Sequence, residues 1–284
     1  MLDRRAFMAA GLALSATPAF AQPPAALLAY ERKTGGKIGV YAANLVTGAT
    51  IAWRANQRFV MCSTFKASLA GLVLTRVDRG QDRLESMIAY GPRDVPDWYA
   101  PVARRHLAEG GLSVGQMCAA AVEVSDNTCA NLLLARVGGP AALTRFWRAL
   151  GDPFTRLDHP EPELNRSPPG DPHDTTTPRA MAGNLRRLLL DEALSPASRK
   201  HLTRWMLNCQ TGAERLRGGL PASWRIADKT GNNGKDAAGD IALAWDAQQR
   251  PHLICAYVQG GSPADEDIRA VFAEVGRMAS RQLS

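Results

Sequence analysis

Strand-like patterns occur near both ends of this chain, and the stretch between them, from Ser63 to about Asn208, reads as mostly helical. That distribution leaves few folds open. Near the start, "KIGVYAANL" and "ATIAWRA" alternate apolar and polar residues on either side of Thr47-Gly48, as the arms of a β-hairpin do. Strand patterning returns only after the helical stretch, in "SWRIADKT", "DIALAWDA" and "HLICAYVQG". Strands this far apart bury their faces best in one antiparallel sheet built from both chain ends and flanked by helices, with the intervening helices as an inserted all-α lobe. The expected class is therefore α/β of the α+β two-lobe kind. Residues 22–60 and 212–284 form the sheet lobe and 61–211 the helical lobe, with the ligand site in the cleft between them.

The helical patterns run from Pro24 to Lys33, Ser63 to Arg79, Ser113 to Val124, Asn127 to Val137, Pro140 to Leu150, Pro178 to Leu190, Pro196 to Leu207 and about Pro263 to Leu283. Pro140, Pro178 and Pro196 sit where a first helical turn tolerates proline. Gly35-Gly36, Gly138-Gly139 and Gly151 supply stops. The segment "DPFTRLDHPEPELNRSPPGDPHDTTT", Asp152 to Thr177, follows no period. Loops of that length inside a compact domain are usually functional or disordered.

The first residues, "MLDRRAFMAAGLALSATPAFAQ", have the charged start, apolar middle and Ala19-Phe20-Ala21 site of an export signal. Adjacent Arg4 and Arg5 favour the twin-arginine route over the general secretory one. Cleavage near Ala21 leaves 263 of the 284 residues, 22 to 284, as one large domain or two interleaved lobes, periplasmic or secreted. The formal charge of +7 becomes +6 when Asp3, Arg4 and Arg5 are removed. These charges are scattered, which argues against nucleic acid as a partner. No later apolar run is long enough to span a membrane, so no stable membrane insertion is expected, and a monomer is. The five cysteines, Cys62, Cys118, Cys129, Cys209 and Cys255, form no C-x-x-C pair and show no metal spacing with the histidines, so neither metal nor cofactor is expected.

The stretch "VMCSTFKASLAGLVL" carries one charge, Lys66, among apolar residues. Ser63 precedes it by one helical turn, on the same face. A serine hydroxyl becomes a nucleophile when a neighbouring base takes its proton, and a lysine in dry surroundings can be that base because desolvation disfavours the ammonium form. Backbone N–H groups at a helix start can also hold an oxyanion. The alternative is a capping serine and a snorkelling lysine. Two further motifs are individually weak. Ser125-Asp126-Asn127 is a common helix junction, and Lys229-Thr230-Gly231 has the same letters as Lys33-Thr34-Gly35 in an ordinary helix-ending context.

Their order is not weak. Ser63-x-x-Lys66, then Ser125-Asp126-Asn127, then "EPELN" from Glu161 to Asn165, then Lys229-Thr230-Gly231 late in the chain resembles the class A serine β-lactamases over essentially the whole mature length. The resemblance implies hydrolysis of β-lactam antibiotics, and resistance to them, through an acyl-enzyme on Ser63. The N–H groups of Ser63 and Asn232 would form the oxyanion hole beside Gly231. Lys66 would hold or relay the proton, Ser125 would pass it to the ring nitrogen, and Lys229 would lend positive charge. Asn127 would bind the substrate amide and Thr230 its carboxylate. Glu161, helped by Asn165, would activate the hydrolytic water, while the acylation base, Lys66 or Glu161, stays open. The Glu161-Pro162 bond would be cis.

The chain also departs from the family. His159 replaces the usual arginine at the loop's neck, where its partner should be Asp174, giving a pH-dependent clasp. Cys62 faces Asn233 and Cys118 faces Ala70, so neither familial disulfide is available. Ala238 replaces a carboxylate-binding arginine, leaving Arg215 and Arg269 as candidates. Trp98 or Tyr99 would wall the cleft entrance. The rival readings are a D,D-peptidase or penicillin-binding protein, which lacks the "EPELN" base, and a β-lactam sensor, which needs a spanning segment.

Overall fold

The computed structural model describes residues 24–166, 168 and 170–284; the leader read at residues 1–21 lies outside them. Both chain ends complete one sheet. Its strands are β1 (Lys37–Asn44), β2 (Thr50–Trp53), β3 (Arg225–Asn232), β4 (Ala237–Trp245) and β5 (Pro251–Gln259), in the order β2-β1-β5-β4-β3. Every pairing is antiparallel, and β1 runs fully against β5, from Lys37 opposite Gln259 to Asn44 opposite His252.

The main helices are α1 (Ala25–Thr34), α2 (Phe65–Asp78), α3 (Val114–Glu123), α4 (Asn127–Arg136), α5 (Pro140–Ala149), α6 (Pro178–Leu189), α7 (Pro196–Leu207) and α8 (Asp265–Gln282). Local chemistry explains the boundaries. Ser113 and Gln116 form a capping box on α3, and Asp126 caps α4 by accepting from the Cys129 N–H. Ser195 and Thr177 cap the proline-led helices α7 and α6.

The sheet is buried on both faces, so its strands show almost continuous burial. Along β5, Leu253, Cys255 and Tyr257 join the core that includes the helical lobe, whereas Ile254, Ala256 and Val258 pack with residues of α1 and α8. Full burial of side chains such as Phe65, Leu69 and Phe272 contributes roughly 1.5–3 kcal/mol apiece.

Two expectations need correction. Strand structure is not confined to the chain ends: Met87–Ala89 pairs with Gly111–Ser113, and Phe59–Val60 pairs with Thr175–Thr176. Ribbons of two or three residues are too short to leave an alternation in sequence. The second ribbon matters to the site, because it fastens the end of loop 152–177 to the segment just before Ser63. The helix also does not begin at Ser63. Cys62–Thr64 form a 3₁₀ turn, α2 starts at Phe65, and Ser63 makes no capping bond. Its hydroxyl is thereby free to point elsewhere.

Candidate active site

Three elements converge on Ser63: its own 3₁₀ turn, the α3–α4 junction carrying Ser125 and Asn127, and strand β3. Loop 152–177 closes a fourth side with Glu161. Together with Tyr99, Asn165, Thr211, Arg215, Thr230, Gly231, Asn232 and Gly234 they line a cleft of about 500 Å³. Ser63 is approached so closely by β3 that a Cβ on Gly231 would lie 2.9 Å from the Ser63 nitrogen, the Met61 oxygen and the Cys62 Cβ. Only glycine permits that contact. Cys62 (φ 44°) and Ser125 (φ 63°) both adopt left-handed backbone, a conformation that non-glycine residues keep where surrounding structure enforces it.

The Ser63 hydroxyl donates to Glu161 Oε1 at 2.8 Å. Lys66 Nζ lies 3.0 Å from that same oxygen and donates to Asn127 Oδ1 (2.6 Å), the Ser125 carbonyl (2.9 Å) and Ser125 Oγ (3.3 Å). Lys66 is fully buried, as its apolar sequence neighbours suggest. It is not electrostatically alone, however, because Glu161 arrives from a distant loop. Ser125 Oγ also accepts from Lys229 Nζ at 3.1 Å, so one hydroxyl is held between two lysines.

Burial works against the ionised Glu161 carboxyl, but the Lys66 charge and hydrogen bonds from Ser63, Lys66 and Asn165 more than offset it, leaving the group below the ordinary glutamate value. Asn165 donates to Glu161 Oε2 at 2.7 Å. Lys229 shows the opposite balance. Complete burial, reinforced by Lys66, brings it down to about 8.

The cleft's other end is also cationic. Arg215 donates to the Gly231 and Gly239 carbonyls at 2.8 and 2.9 Å, and its guanidinium lies 5.6 Å from the Phe272 ring centre. Thr230 Oγ1 is 2.5 Å from Thr211 Oγ1. Arg269 is not brought into the cleft: it faces Glu214 at 3.4 Å in an adjoining depression that shares Thr211, Arg215 and Asn232 with the main one. Tyr99, 57% exposed, stands at the entrance, whereas Trp98 packs inward and donates to Thr128 Oγ1.

The loop's neck holds the expected pair, with His159 Nδ1 2.7 Å from Asp174 Oδ2. Asp174 also accepts from the Asp158 and His159 N–H groups. The Glu161-Pro162 bond is cis, and all five cysteines are free and buried.

Two residues escaped the sequence reading. Asn131 on α4 accepts from the Glu161 N–H at 3.0 Å and donates to the Glu161 carbonyl at 2.9 Å, clamping that residue's backbone. An asparagine inside a helix, where its propensity is poor, was the available signal. Thr211 had none, because only the fold sets it beside Thr230.

Comparison with known proteins agrees with this geometry. The model of the beta-lactamase enzyme family matches residues 23–283. Among solved structures, an ancestral (GNCA) class A β-lactamase is 50% identical over 90% of this chain and 97% of its own, with a TM-score of 0.86. A β-lactamase from Xanthomonas campestris is 45% identical over 92% and 97%, with a TM-score of 0.88. The putative class A β-lactamase PenP from Rhodopseudomonas palustris is 44% identical over 91% and 99%, with a TM-score of 0.86. With its four motifs gathered around one cleft and its fold shared with these enzymes, the chain belongs to the beta-lactamase enzyme family.

Proposed function

We propose that this β-lactamase opens its substrate's ring through an acyl-enzyme on Ser63, with Glu161 as the base in both halves of the reaction. The observation that carries this is the direct 2.8 Å hydrogen bond from Ser63 Oγ to Glu161 Oε1. As Oγ attacks the lactam carbonyl, its proton passes to Glu161. The oxyanion is received by the N–H groups of Ser63 and Asn232 across the tight Gly231 contact. Ser125 gives its proton to the departing ring nitrogen and is resupplied by Lys66 at 3.3 Å, and Glu161 returns its proton to Lys66 at 3.0 Å. Glu161, aligned by Asn165 and Asn131, then takes a proton from water as that water attacks the ester, and returns it to Ser63 Oγ as the acyl–Oγ bond breaks and the opened product leaves.

Lys229, Arg215, Thr230 and Thr211 form the subsite for the substrate carboxylate, a role suited to a guanidinium and a dry ammonium. Asn127 and Asn232 take the substrate's side-chain amide, and Tyr99 covers the entrance. The protein works as one catalytic domain and as a monomer, outside the cytoplasm after removal of residues 1–21. No helix among the described residues is long and apolar enough to cross a membrane.

The test is turnover of a chromogenic cephalosporin by the mature protein, with intact mass of Glu161→Ala after exposure to drug. Fast wild-type turnover and a slowly formed, persistent adduct in the variant are expected. A wild-type protein that stays acylated, or Ser63→Ala that still turns over, overturns the reading.

A further inference from the structure

We propose that a hollow behind the neck of loop 152–177 binds an anion of the phosphate class, such as a phosphate ester or pyrophosphate. This hollow, of about 480 Å³, lies between α5 and residues 156–158 and is lined by Ala141, Thr144, Arg145, Arg148, Arg156, Leu157 and Asp158. None of these residues lines the catalytic cleft.

Its charge is unbalanced. Three arginines face one acid, and that acid, Asp158, is already gripped by the Arg156 fork at 2.6–3.2 Å. Arg148 is held by uncharged groups alone: one amino group donates to the Asp152 carbonyl at 2.5 Å and the Thr155 carbonyl at 2.8 Å. Its orientation is therefore fixed while its charge is unmatched. Neither Arg145 nor Arg148 has an ion pair among the described residues. Outside the lining, Arg58 is a further cation within electrostatic reach of Arg156 and Arg148, also on neutral partners, the Phe154 carbonyl (2.7 Å) and Thr175 Oγ1 (3.1 Å). Of the other nearby acids, Asp152 is buried and turned to the N–H groups of Phe154 and Thr155 and to Asn184, Asp174 is turned to His159 and the Asp158 and His159 N–H groups, and Asp171 is engaged with His173. Burial first, then the neighbouring Arg156 and Arg148 charges, holds Arg58 below the ordinary arginine value against a smaller opposing pull from Asp152.

The held Arg148 guanidinium with the exposed Arg145 beside it, around one concavity, suits a tetrahedral dianion, which can bridge two cations, better than a monovalent carboxylate. The same chemistry could reach the hollow as a soluble phosphate compound or as a phospholipid headgroup.

The experiment is a titration of the mature protein with inorganic pyrophosphate at low ionic strength, followed calorimetrically and by the arginine side-chain N–H resonances. Saturable one-to-one binding is expected, with shifts at Arg145, Arg148 and Arg156. Arg145→Glu and Arg145→Gln should weaken it, the reversal by about tenfold or more, while β-lactam turnover and thermal unfolding stay unchanged. Arg148 is left alone because it holds the loop. Shifts centred on Lys229 and Arg215, binding unaffected in both Arg145 variants, or a non-saturating response reproduced by sodium chloride would each overturn the proposal. Cosedimentation with phosphatidylglycerol vesicles but not phosphatidylcholine vesicles, reversed by pyrophosphate, would identify a lipid headgroup as the source. Pyrophosphate binding without cosedimentation would identify a soluble compound.

Discussion

Raising the pH should loosen the loop that carries Glu161, and replacing one residue should abolish the effect. His159 closes the neck against Asp174 at 2.7 Å, with Asp174 buried and the imidazole 52% exposed. The hydrogen bond and charge of Asp174, helped by Asp158 and Glu163, raise the histidine above its ordinary value. His173, with its ring centre 6.1 Å away, is engaged with Asp171. A histidine raised in the folded state contributes its full stability below the unfolded value of about 6.5, and that contribution is lost as pH climbs through the higher folded value. The window therefore opens just above pH 6.5.

Half-exposure limits the size of the effect. Exposed pairs contribute roughly 0.2–1 kcal/mol, so the opening equilibrium should shift by at most about fivefold. The neck does not come apart, because Asp174 keeps its backbone bonds from Asp158 and His159. Limited proteolysis within residues 152–177 at pH 5.5 and 8, normalised to an unstructured peptide with the same cleavage sites, reads the equilibrium directly. Wild type should be cut up to about fivefold faster at the higher pH, and His159→Arg equally at both. Equal wild-type rates at both pH values would refute the reasoning, as would an arginine variant that keeps the dependence.

Three further outcomes follow from the cleft. Because burial brings Lys229 down to about 8, its charge is lost as pH passes through that range; kcat/KM should fall above it with KM carrying most of the drop, and a profile flat to about pH 10 would contradict this. Asn131→Ala removes two bonds to the Glu161 backbone, worth roughly 1 kcal/mol each, so acylation and deacylation should both slow about tenfold or more in single-turnover and steady-state kinetics; unchanged rates would exclude the clamp. Gly231→Ala should cost about a hundredfold in acylation rate by pushing β3 off the Ser63 turn, measured in single-turnover kinetics with circular dichroism to show an intact fold.

Much of the scaffold was legible because its boundaries are written locally. Ser113 with Gln116, Asp126, and the prolines at 140, 178 and 196 start helices through contacts made within one turn. The Ser63 turn was not legible, since its 3₁₀ form and the left-handed Cys62 depend on packing against Gly231 and on the Cys62 thiol reaching the Ala237 carbonyl. The position of Arg269 was not legible for the same kind of reason. Its chain position is compatible with the cleft, but Glu214 holds it one depression away.

Lys66 shows where sequence reasoning about a site stops. Neighbours along a helix report burial well, and the apolar run around Lys66 correctly marks a dry position. Charge partners come from elsewhere in the fold, and here the decisive one sits on an aperiodic loop. Ser63 Oγ and Lys66 Nζ both address the same oxygen of Glu161, at 2.8 and 3.0 Å. With the roles proposed above, the nucleophile's proton, the lysine's charge and the hydrolytic base are coupled through one carboxylate whose position is set by the Asn131 clamp and the His159–Asp174 neck. A displacement of the loop cannot impair deacylation alone: it withdraws the acceptor from Ser63 and the counter-charge from Lys66 together. For this reason, loosening the neck should lower acylation and deacylation rates in parallel, whereas Asn165→Ala, whose bonds go to the other carboxylate oxygen and the Pro162 carbonyl, should fall more heavily on deacylation.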